Sequence, residues 1–179
     1  MMQVFGISGF SGSGKTTLIT QLVGRFRDDG YTVSAIKHTH HGFDLDRPGK
    51  DSYRLRSAGC GEVLLVGDQR LALMQEYPDG TQPALPQLLA KLAPCDLVLV
   101  EGYKDSELPQ LRLHRSCQPQ LPDLANPAIV AVASDIRLDC AQPWLPLSDV
   151  TAIHRFLQHY LFGAKPQPSI DRWPLQRCA

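Results

Sequence analysis

The sequence has no close cysteine pair, almost no proline before residue 78, no excess of either charge and no long apolar run. Its five cysteines (Cys60, Cys95, Cys117, Cys140 and Cys178) are odd in number and widely spaced. Neither a zinc knuckle nor a two-residue redox motif can be built from them, so they read as incidental thiols of a reducing compartment. Eighteen basic residues balance eighteen acidic ones and neither sign clusters, which excludes the basic footprint of a nucleic-acid binder. No apolar run approaches the ~18 to 20 residues of a membrane span. The segment Met1 to Phe10 has neither a basic start nor a small-residue cleavage site, so no secretory signal is expected. A cytoplasmic protein without nucleic-acid or membrane partners is the expectation.

What is present is ordinary globular composition. With 179 residues, 43% hydrophobic and 20% charged, the chain can bury a core as one domain. Thirteen of the fourteen prolines lie at or after Pro78, leaving the first 77 residues free to form regular elements. Val4 to Ile7 is a short apolar strand. Leu18, Ile19, Leu22, Val23 and Phe26 then repeat at helical spacing, and Gly30 suits the positive φ of a helix C-terminus. Tyr31 to Ile36 reads as a second strand, which completes a β-α-β unit.

Further on, Lys50 to Ala58 predicts a helix, and Val63 to Val66 with Arg70 to Gln75 predicts a short antiparallel hairpin. Leu85, Leu88, Leu89 and Leu92 form another helical stripe. Leu97 to Val100 and Ile129 to Ala133 are apolar on both faces, as strands of a parallel sheet are, and Val150 to Leu161 is a final amphipathic helix. The segment 118–127 is expected to be irregular. The whole predicts an α/β chain with a mostly parallel sheet flanked by helices and one hairpin. A nucleotide-binding domain over residues 1–163 and an irregular tail over 164–179 are the expected divisions.

The strongest motif lies between the first strand and the first helix. Gly9-Phe10-Ser11-Gly12-Ser13-Gly14-Lys15-Thr16 matches the phosphate-loop pattern at every position, in the required strand–loop–helix setting. Glycines let backbone N–H groups converge on phosphate oxygens, and the positive end of the following helix adds to the field. Gly9, Gly12, Ser13, Gly14, Lys15, Thr16 and Thr17 are thus candidate nucleotide-binding residues. Lys15 would reach the β- and γ-phosphates, the Thr16 hydroxyl would hold Mg²⁺, and Thr17 would bond the α-phosphate region. The P-loop NTPase fold follows as the expected fold.

Such a site needs a carboxylate at the end of a neighbouring buried strand. Glu101, after Leu97 to Val100, would emerge at the carboxyl edge of the sheet, whereas Asp96 begins that strand and lies at the other edge. Asp44 and Asp46, in the loop after the second strand, are further candidates for Mg²⁺ through water, and Lys37 or Lys50 for a phosphate. His38, His40 and His41 do not define tetrahedral metal geometry and have no cysteine nearby. The Asn-Lys-x-Asp guanine signature is missing. Asp135, ending the strand Ile129 to Ala133, could accept from guanine's N1 and exocyclic amine, or could cap a turn; both readings stand.

Taken together, the phosphate loop, the segment Lys37-His38-Thr39-His40-His41-x-Phe43-Asp44-x-Asp46-x-Pro48-Gly49-Lys50-Asp51-Ser52 and Leu99-Val100-Glu101-Gly102-Tyr103-Lys104 resemble the MobB family of molybdopterin-guanine dinucleotide biosynthesis adaptors. The similarity runs on through Ala131 to Asp135 and covers roughly residues 2 to 162. It implies a GTP-binding homodimer with weak hydrolysis. It also implies a partner, the MobA-type guanylyltransferase that joins GMP to molybdopterin, helped either by supply of GTP or by bridging the pterin to that enzyme. In such a reading Lys15, Asp46 and Glu101 serve turnover, Thr16, Asp44 and Glu101 surround Mg²⁺, and GTP is favoured over ATP. No glutamine or arginine is obviously placed to orient water, which also predicts slow hydrolysis.

Two other classes share the loop. A nucleoside kinase would use Asp44 or Asp46 as base, but would need lid arginines, and only Arg54, Arg56 and Arg70 are nearby in sequence. A nickel-type metallochaperone GTPase would draw on the histidines.

Overall fold

The computed structural model describes residues 1–39 and 42–163; His40, His41 and the tail 164–179 lie outside the described residues. In chain order the elements are β1 (Gln3–Gly9), α1 (Lys15–Asp28) and β2 (Val33–Lys37), then α2 (Asp51–Ser57), β3 (Glu62–Gly67), β4 (Arg70–Gln75) and α3 (Leu85–Leu89). They continue with β5 (Leu97–Glu101), β6 (Gln110–His114), β7 (Ile129–Ser134), β8 (Trp144–Pro146) and α4 (Val150–Phe162). The chain divides into two compact units, one made of Met1–His38 and Leu92 onward, the other of Thr39–Lys91.

The first unit carries a six-stranded sheet in the order β2-β5-β1-β6-β7-β8, with every pairing parallel. Alternation along the strands decides what each face buries. Phe5, Ile7, Leu97, Leu99, Leu111, Leu113, Ala131 and Ala133 point to one side, where Leu18, Leu22 and Phe26 of α1 and Ile153 and Leu157 of α4 meet them. Each such fully buried large side chain stabilises the fold by about 1.5–3 kcal/mol. Phe26 joins the two helices, its ring edge-on to His154 with centroids 4.6 Å apart.

Helix α1 ends in a Schellman arrangement. Tyr31 N–H donates to Phe26 O at 2.9 Å and Gly30 N–H to Arg27 O at 2.9 Å, with Gly30 at φ 91°. Tyr31 therefore closes the helix rather than opening β2, and the strand begins two residues later than its β-rich sequence suggests. Asp96 accepts from Thr32 N–H at 2.8 Å and Thr32 Oγ1 at 2.7 Å, which pins the starts of β2 and β5 together at the edge away from the phosphate loop.

Two strands have no clear sequence signature. β8 is only three residues long and ends in Pro146. β6 reads Gln-Leu-Arg-Leu-His, yet all five of its residues are buried. Leu111 and Leu113 join the core, while Gln110, Arg112 and His114 face the other side of the sheet. There the loop after β5 meets the first two: Gln110 Nε2 donates to Lys104 O at 3.3 Å, and Arg112 Nη2 to the same carbonyl at 3.4 Å. Burial pulls the Arg112 pKa below the usual guanidinium range, against the attraction of Asp123 and Asp105.

In the second unit β3 and β4 pair antiparallel from Glu62↔Gln75 to Gly67↔Arg70, the hairpin that the sequence predicts. Val63 is buried, but Leu64, Leu65, Val66, Leu71 and Leu73 are exposed. Helix α3 stops at Leu89, short of the predicted stripe's last residue, Leu92.

Candidate functional site

The turn from β1 into α1 is shaped by its glycines. Gly9 has φ 148°, and a Cβ there would stand 2.5 Å from Leu113 O, so only glycine lets β1 leave the sheet beside β6. Gly12 and Gly14 have φ 76° and 93°, and Gly14 is the N-cap of α1 in left-handed geometry without a side-chain cap. The first N–H groups of α1 have no partner within the helix, and they open onto the loop. Ser13 is fully buried, and Thr17 is exposed on the first turn.

Lys15 lies folded along this loop. Its ammonium donates to Gly9 O at 3.0 Å and Phe10 O at 2.8 Å. Burial lowers its pKa, with Lys37 adding to that effect and Glu101 opposing it. The charge is thus held among carbonyl oxygens of the loop.

Glu101 ends β5, which β1 and β2 flank: its register partners are Ile7 and Lys37. This brings Thr16 Oγ1 within 2.8 Å of Glu101 Oε2, donating to it. Lys37 completes the cluster, donating to Thr16 Oγ1 at 3.3 Å and pairing with Glu101 Oε1 at 3.4 Å. A hydroxyl and a carboxylate are hard oxygen donors, the kind Mg²⁺ takes, so the residues fit that ion, and Lys37 is the cation now balancing Glu101. The chain after Glu101 turns sharply. Gly102 at φ 106° would bring a Cβ 3.1 Å from His38 Cβ, and Tyr103 follows at φ 50°, its ring 4.6 Å from that of His38. A non-glycine residue held in this region stores backbone strain, which is common beside binding sites.

Asp44 and Asp46 belong to the second unit, where Arg56 engages both, at 2.8 Å and 3.5 Å, and Glu76 as well. The Asp46 backbone N–H, with Arg56, holds the Asp44 carboxyl below the usual range. Asp46 also accepts from Ser52 Oγ at 2.8 Å. Among the described residues no three histidine, cysteine or carboxylate groups converge as metal ligands; of the histidines on which a metallochaperone would draw, His40 and His41 lie outside the described residues.

Asp135, just after β7, accepts from Ser116 N–H at 2.7 Å and Ser116 Oγ at 3.1 Å. The first of these bonds is the main cause of its lowered pKa. The same turn carries two residues that the sequence reading missed. Arg115 Nε donates to Ser13 O at 3.1 Å, and Gln118 Nε2 to Ser11 O at 3.4 Å. The signal that would have found them is β6 itself: once a strand is placed beside β1, its carboxyl end must abut the loop.

Residues 4–135 match the family model described as "Molybdopterin guanine dinucleotide synthesis protein B". The chain is 36% identical over 165 residues to the molybdopterin-guanine dinucleotide biosynthesis adapter protein of Escherichia coli (strain K12), covering 90% of this chain and 94% of that protein. It is 37% identical over 169 residues to the protein of that name from Haemophilus influenzae (strain ATCC 51907 / DSM 11121 / KW20 / Rd), at 90% and 93% coverage. The crystal structure of a MobB protein homolog from Bacillus stearothermophilus superposes with a TM-score of 0.66 at 27% identity, over 89% of this chain and 97% of that one.

Proposed function

Since the chain belongs to the MobB family of molybdopterin guanine dinucleotide synthesis proteins, with its P-loop NTPase fold, we propose that it fills the adapter role by binding GTP with Mg²⁺ at the β1–α1 loop. The carrying observation is the Thr16–Glu101 bond beside that loop, because it joins a phosphate nest to a metal-type donor pair from a different strand. Lys15 would move from the loop carbonyls to the β- and γ-phosphates. Thr16 and Glu101 would hold Mg²⁺, which when bound would neutralise phosphate charge; Lys37 would then be released toward the nucleotide. Asp44 and Asp46 remain candidates for the ion's water shell, and Asp46 for turnover.

Asp135 would read guanine. Each of its oxygens has more than one lone pair, so bonds from Ser116 leave capacity for a base. Hydrolysis would be weak: Arg115 and Gln118 bond loop carbonyls, on the edge opposite the N–H groups that would face phosphate. The proposed partner is a MobA-type guanylyltransferase in the cytoplasm, with molybdopterin as a further ligand of the complex. The exposed β3–β4 hairpin, rich in leucine, is the proposed homodimer surface.

The test is competition of GTP against ATP for a fluorescent nucleotide on the Mg²⁺-loaded protein. A GTP preference of about tenfold, ~1.4 kcal/mol, is expected. Equal or stronger ATP binding would overturn the guanine reading and favour a nucleoside kinase.

A further inference from the structure

We propose that the turn Arg115–Gln118 is a strap that pre-organises the phosphate loop from behind, with Arg115 and Gln118 as positioning residues and Asp135 as the strap's anchor. The inference deepens the nucleotide-binding reading above and rests on it. A trans peptide unit points its C=O and the following N–H in opposite directions. The two carbonyls gripped by the strap, those of Ser11 and Ser13, share their peptide planes with the N–H groups of Gly12 and Gly14. Holding the carbonyls outward therefore aims these two amides into the nest.

Without such a hold the loop has much freedom to lose, because glycine populates both signs of φ. Gly12 and Gly14 both sit at positive φ, and the N-cap residue of α1, Gly14, has no side chain to cap it. The Arg115 guanidinium also packs against Gly14, with Nη2 3.1 Å from where a Cβ there would stand. It thus braces the loop sterically and places a permanent positive charge behind the anion site.

The strap is bonded within itself. Gln118 N–H donates to Arg115 O at 2.9 Å, and Arg115 N–H donates back to Gln118 Oε1 at 3.2 Å. Between them Ser116 gives both its N–H and its hydroxyl to Asp135. The carboxylate at the end of β7 is therefore tied through one turn to the peptide units that meet phosphate.

The test uses a ligand with phosphates and no base: magnesium tripolyphosphate, titrated calorimetrically into the full chain, with guanosine as the ligand that has a base and no phosphate. Arg115→Ala is expected to weaken tripolyphosphate binding by about tenfold and to leave guanosine binding unchanged. Gln118→Ala is expected to do the same by about threefold, and Arg115→Lys to recover part of the loss. Asp135→Ala is expected to weaken tripolyphosphate as well, which a residue acting on the base alone would not do. Tripolyphosphate affinity unchanged in all the variants would overturn the strap while leaving nucleotide binding intact. Parallel losses for both ligands in the Arg115 and Gln118 variants, with a lowered melting temperature, would also overturn it, as plain destabilisation. No tripolyphosphate binding by the unaltered protein would overturn strap and nucleotide reading together.

Discussion

Glu101→Gln separates the metal role from the structural role of that side chain. The substitution keeps the shape and one acceptor oxygen, so Thr16 can still donate, but the bond changes from charge-assisted to neutral. Charge-assisted bonds are about twice as strong, so roughly 0.5–1.5 kcal/mol is lost. The pair with Lys37 disappears too. With the Lys37 side chain 58% exposed, that costs only about 0.2–1 kcal/mol. Against these losses stands relief from keeping a carboxylate in a position that is 8% exposed. Net stability should thus change by no more than about 1 kcal/mol, or roughly 2–4 °C in melting temperature. The effect on Mg²⁺ should be larger, since a neutral amide is a poor ligand for a hard dication. The ratio of GTP affinity with Mg²⁺ to that with chelator should fall about tenfold or more, ~1.4 kcal/mol. Fluorescent-nucleotide titrations in both buffers, beside a thermal melt, measure it. An unchanged Mg²⁺ ratio in a folded variant would refute the reasoning and move the metal role to Asp44 or Asp46.

Lys15→Ala should abolish nucleotide binding and leave the circular-dichroism spectrum unchanged, because among the described residues the ammonium bonds carbonyls of its own loop; retained affinity would remove it from the site. Gly9→Ala should lower the melting temperature by roughly 6–12 °C, since the new Cβ meets a backbone oxygen that cannot yield and the φ is strained, together about 3 kcal/mol. A melt within about 2 °C of the parent's would contradict that contact. His154 has its pKa lowered chiefly by burial, with Arg25 and Arg155 adding to this and Asp29 opposing it. Its contribution to stability is therefore complete above the unfolded value of about 6.5 and is lost as pH falls through the lower folded value; a His154→Gln variant with the same acid slope would disprove this. Light scattering at micromolar concentration should give a dimer, and Leu71→Lys, on the exposed hairpin, should shift it toward monomer; a monomeric parent protein would refute the hairpin surface.

Local chemistry made much of this protein legible from residues alone. The phosphate loop is a run of neighbours whose glycines dictate its path, so its place between a strand and a helix needed no tertiary information. The apolar periods of α1, β5, β7 and α4 and the β3–β4 hairpin were readable for the same reason. β6 was not, because alternation of Leu111 and Leu113 with Gln110, Arg112 and His114 resembles a half-solvated edge, whereas a loop buries its polar side. Asp135 could be singled out from sequence, but its bonds to Ser116 could not. Only the order of the sheet decided those matters. By setting β5 and β6 on either side of β1, it brings Glu101 to Thr16 across 85 residues and Arg115 to Ser13 across 102. Contacts so distant in sequence leave no periodic trace, since the parallel sheet that makes them is specified by burial summed over all its strands.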